Sequence, residues 1–136
     1  MKIESILVGA TPMFKLTRSD GQTRTGPALA TLALLREALE AEQARHRQLQ
    51  RELGDAEHAV RAAIGAGRNP TQARADVTRL QADIAGAGKR MAEIESLATQ
   101  VREQAIEQIA APIRQQFQAA VDAATATSPV TPQEHA

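Results

Sequence analysis

On either side of Gly65-Ala66-Gly67-Arg68-Asn69-Pro70 the chain carries apolar residues spaced alternately three and four apart. A helix with that spacing presents one continuous apolar seam to another helix. In the first stretch Leu32, Leu35, Leu39, Glu42, His46, Leu49, Leu53, Ala56, Val60 and Ala63 fall on a and d positions of an unbroken heptad register, with only Glu42 and His46 polar. In the second, Val77, Leu80, Ile84, Ala87, Met91, Ile94, Ala98, Val101 and Ala105 repeat the pattern. A short connection forces the two seams to meet antiparallel. The expected fold is therefore mainly α, a long antiparallel helical hairpin of coiled-coil type within residues 27–126.

Local signals bound these helices. Pro27 fits a first-turn position, where its missing N–H costs nothing, and Gly65 suits a C-terminal cap because glycine reaches positive φ readily. From Pro27 to Ile64 the first helix would run about 55 Å. Asn69 reads as the N-cap of the second, with Pro70 at its first position and Gln72 reaching back as in a capping box. Past residue 105 the apolar spacing lengthens to fours through Ile109, Ile113, Phe117 and Val121, and Pro112 interrupts the hydrogen-bond ladder. A kinked C-terminal helical extension is expected there. Residues 127–136, with Pro129 and Pro132, read as a disordered tail.

Residues 1–26 differ in kind. Apolar and β-branched residues cluster from Ile3 to Val8, Gly9-Ala10 breaks the run, and Phe14 and Leu16 alternate with polar neighbours before Ser19-Asp20-Gly21 turns the chain. A β-meander of two or three short strands follows from this pattern. So few strands do not hold together alone in water, and their apolar face must lie on a helix or another subunit. Because folding about Gly67 brings Pro27 near Ala110, the expected cover is the C-terminal extension, with Phe14 packed on Ile113 and Phe117 at the open base of the hairpin.

Composition narrows the function classes. With no Trp or Tyr, two Phe and much of its apolar content as Ala, the 136-residue chain suits an elongated or oligomeric form better than a globule. Sixteen basic and sixteen acidic side chains cancel, so no whole-molecule field draws in nucleic acid or an anionic surface. Zero cysteines remove thiolate chemistry and suit a reducing cytoplasm. The apolar run Ile6-Leu7-Val8 is short for a signal-peptide core, and no stretch approaches the length of a membrane span. A cytoplasmic location without membrane contact is the expectation.

Few residues invite chemistry. Glu42 and His46 lie four apart on one helical face, a spacing open to a metal or an acid-base pair, yet no second His joins them; a hydrogen-bonded polar pair that fixes register is the expected role. Gly86-Ala87-Gly88-Lys89-Arg90 lacks the preceding strand and the Ser or Thr after Lys that a phosphate loop needs, so it is expected inside a helix. No nucleophile has a nearby base. No catalytic, metal-binding or cofactor-binding residue is therefore assigned.

Folding about Gly67 also sets Arg45, Arg47 and Arg51 beside Lys89 and Arg90, and Glu37, Glu40 and Glu42 beside Glu93 and Glu95. Like charges so stacked would favour a partner with the inverse pattern. These features imply a non-enzymatic interaction or assembly module, whether structural, scaffold or chaperone-like, that self-associates or binds a protein partner. The partner-binding candidates are Arg45, Arg47, Arg51, Lys89, Arg90, Phe14, Ile113 and Phe117. Two alternatives stand beside it: a nucleic-acid accessory protein using the basic band, and a small adaptor or inhibitor docking through one helix face.

Overall fold

The structure is a computed structural model that describes residues 1–127. Three strands, β1 (Lys2–Val8), β2 (Thr11–Thr17) and β3 (Thr23–Gly26), precede two helices, α1 (Ala28–Gly65) and α2 (Thr71–Thr127). The expected disordered tail lies outside the described residues apart from Thr127, which closes α2.

The strands form one antiparallel sheet in the order β1-β2-β3. Gly9, at φ 64°, takes the first position of the two-residue β1–β2 turn, where the right-handed twist of the flanking strands calls for positive φ. Gly21 (φ 87°) and an Asp20 carboxylate accepting from the Gln22 N–H at 2.9 Å shape the second turn. β3 pairs only with Phe14–Thr17, which leaves Pro12 on a stretch of β2 with no neighbour on that side. A strand tolerates proline there. Ile3 lies opposite Leu16 and Ser5 opposite Phe14, so these four share one face of the sheet.

That face packs on the helices. Ile3, Phe14, Leu16, Leu35, Ile94 and Val101 form one buried cluster, and Leu49, Leu80 and Ala87 form a second further along the helix pair. Residues from both helices meet in each cluster, and as positions rise along α1 their partners fall along α2, so the two helices run antiparallel. Thr31, 2% exposed, anchors the start of α1 by donating its hydroxyl to the Pro27 carbonyl at 3.1 Å.

Three local expectations are corrected. The glycine that ends α1 is Gly67 (φ 68°), not Gly65, which is still helical. The Arg68 N–H reaches the Ala63 carbonyl at 2.8 Å and the Gly67 N–H the Ile64 carbonyl at 3.1 Å, the paired bonds of a Schellman cap. Asn69 does cap α2, its side-chain oxygen accepting from the Thr71 N–H at 3.0 Å. Gln72 instead donates forward to Asp76, so the reciprocal half of a capping box is missing.

The third correction moves the base. β1 lies along α2, with the Met1 amino group 3.5 Å from Glu93 and the Gln108 amide 3.3 Å from Ser5 Oγ. The sheet therefore flanks the helix pair rather than closing its open end. Phe14 is fully buried, but against Leu35, Ile94 and Val101; Ile113 and Phe117 are 60% and 69% exposed and take no part in that core.

Candidate interaction surface

With Phe14 sealed inside, the accessible features are the charge band at mid-hairpin, a groove between the helices, and the far end of α2. At about 100° per helical residue, Arg45 and Arg47 point about 200° apart around α1. The two therefore serve different sides of the molecule. Arg47 lines a groove with Gln43, His46, Gly88, Met91, Ala92 and Glu95. Arg51 donates to the Gln48 side chain at 2.6 Å.

Arg90 belongs to the other side and is neutralised there. Its Nε lies 3.0 Å from Glu42 Oε1, bridging the two helices at the point where the basic and acidic bands meet. Glu42 was expected to pair with His46; it pairs across the hairpin because α2 brings a guanidinium within reach while the imidazole leans into the groove. Its second oxygen, Oε2, is buried with no hydrogen-bond partner. Lys89 is exposed. The five cations thus do not make one continuous stripe.

Gly86 and Gly88 lie within α2, as their sequence context implies. Between them Ala87 is fully buried in the second cluster. A methyl group on Gly88 meets no heavy atom within 4 Å, and one on Gly86 meets only the flexible Arg90 guanidinium at 3.4 Å. No backbone approaches either position.

A second groove, about 550 Å³, opens between the helices with no sheet residue in its wall. Leu32, Leu39 and Ala98 supply its apolar floor, and Arg36, Glu95 and Arg102 its rim.

The far end of α2 is the largest departure from an ordinary water-facing surface. α1 starts at Ala28, and Gln108 donates to Ser5 Oγ of β1. Residues 109–127 then continue as helix for roughly 28 Å. Every residue from Pro112 to Ala126 is exposed. Ile106, Ile109, Ile113, Phe117 and Val121 run along it at 65%, 67%, 60%, 69% and 40% exposure. Leu7 shares the helix-facing side of β1 with Ile3 and Ser5, yet is 71% exposed. Scattered single apolar residues are normal on a surface; five in line along one helix face are not.

No helix among the described residues is long and apolar enough to cross a membrane. Comparison with protein-family models, with curated proteins and with solved structures finds no match.

Proposed function

We propose that this chain is a non-enzymatic coiled-coil interaction or assembly module. In this reading the paired helices act as a stiff bracket and the projecting end of α2 as the contact element. The observation that carries it is the stripe from Ile106 to Val121, exposed along one face of α2, whose residues from Pro112 onward no other part of the described chain covers. Burying a side chain of this size is worth about 1.5–3 kcal/mol, so leaving five in water is a standing cost that association would remove.

The heptad spacing of Leu35, Leu49, Leu80, Ala87, Ile94 and Val101, all buried where the helices meet, supports coiled-coil packing as the reason the bracket is stiff. Pro112 supplies the flexure between bracket and contact element. It has no N–H for the Gln108 carbonyl, and helices bend where that bond is lost. Phosphate recognition draws less support, since Arg45 and Arg47 face apart and Arg90 is paired with Glu42. Mass in solution by light scattering tests the proposal. Concentration-dependent self-association, or a stable complex with a co-purifying protein, is expected; a strict monomer whose only ligand is duplex nucleic acid, bound in a salt-dependent way, would refute it.

A further inference from the structure

We infer that the α2 segment 106–121 pairs antiparallel with the same segment of a second copy of this chain, crossing at Ile113. The inference rests on the assembly reading above and names the surface and the partner that serve it.

Two observations converge on a second copy. The first is spacing. Ile106, Ile109, Ile113, Phe117 and Val121 are arranged about Ile113 so that an antiparallel crossing there sets Ile109 against Phe117 and Ile106 against Val121. All five are then covered by one two-fold contact, the isologous arrangement commonest among dimers.

The second is size. At roughly 100 Å² of apolar area per side chain, the five residues give about 500 Å² per copy. Two copies bury about 1,000 Å², the floor for a specific interface. An exposed helix of this length, interrupted by proline, is marginal in water by itself. Pairing accounts for its being helical through Thr127.

The full chain is tested by light scattering, with Phe117→Asp as the first variant. Phe117 is 69% exposed, so the variant leaves the core intact. The native chain is expected to dimerise and Phe117→Asp to weaken dimerisation at least roughly 100-fold. Orientation is read separately, by mixing Ile106→Cys with Val121→Cys chains in a protein that has no cysteine of its own. Antiparallel pairing yields the mixed disulfide. A native monomer overturns this inference and the self-association behind it. An oligomer indifferent to Phe117→Asp, or one giving only like-with-like disulfides, overturns this inference and leaves the assembly reading standing.

Discussion

Gly54, Gly86 and Gly88 occupy helix interiors, where glycine is about 0.8–1.0 kcal/mol less favourable than alanine because more backbone freedom is lost on folding. Whether the penalty is recoverable depends on what an added methyl group would strike. At Gly54 and Gly88 it strikes nothing within 4 Å. The double variant Gly54→Ala/Gly88→Ala is therefore expected to gain about 2 kcal/mol. For a chain of this length that is a rise in Tm of about 6–10 °C. Gly86→Ala should add less, since its methyl group meets the Arg90 guanidinium at 3.4 Å and disturbs the ion pair with Glu42. Thermal unfolding followed by far-UV circular dichroism at fixed chain concentration measures the shift, and light scattering shows whether assembly survives. An unchanged or lowered Tm for Gly88→Ala would refute the reasoning, because it would mean that another backbone occupies the groove beside His46 and Met91 in solution.

The same logic reverses at Gly67, whose φ of 68° is strained for any side chain; Gly67→Ala should cost about 1–2 kcal/mol in urea unfolding, and Asn69→Ala about 1 kcal/mol through loss of the α2 cap. Phe14→Ala removes a fully buried ring and should cost about 3–5 kcal/mol, with loss of strand signal, whereas Phe117→Ala should leave the stability of the monomer within about 0.5 kcal/mol.

The two phenylalanines show where the sequence is informative about this fold and where it is not. Phe14 and Leu16 alternate with polar neighbours, and that period alone places them on the inner face of a strand. The helix seams are equally legible, because heptad spacing states which residues face a partner: Leu35, Leu49, Leu80, Ala87, Ile94 and Val101 are buried where the two helices meet. Which partner faces a given stripe is not a periodic property. Ile113 and Phe117 are amphipathically placed, yet whether the sheet covers them depends on where β1 docks. The contacts of Met1 with Glu93 and of Ser5 with Gln108 set it beside the hairpin instead of across its end.

The charge layout is less legible, for a geometric reason. Listing Arg45, Arg47, Arg51, Lys89 and Arg90 by axial level ignores azimuth, and helical rotation sends Arg45 and Arg47 to opposite sides. The Glu42–Arg90 bridge follows from azimuth as well, because both residues turn toward the sheet side of the helix pair. Heptad lettering carries part of the signal for it: Glu42 is a polar residue in one seam, and Arg90 flanks the facing seam at a g position, from which a long side chain can reach across.

The account stands on α1 folding back along α2, and a distance between spin labels tests that most directly. Cysteines introduced at Gln50 and Ala85, both exposed, carry the only labels in a chain without native cysteine, and dilution with unlabelled protein removes contributions between copies. Packed helices have axes about 8–10 Å apart, so the two nitroxides should lie within about 30 Å of each other. A separation of about 50 Å, the rise of one continuous helix between those positions, would contradict the account.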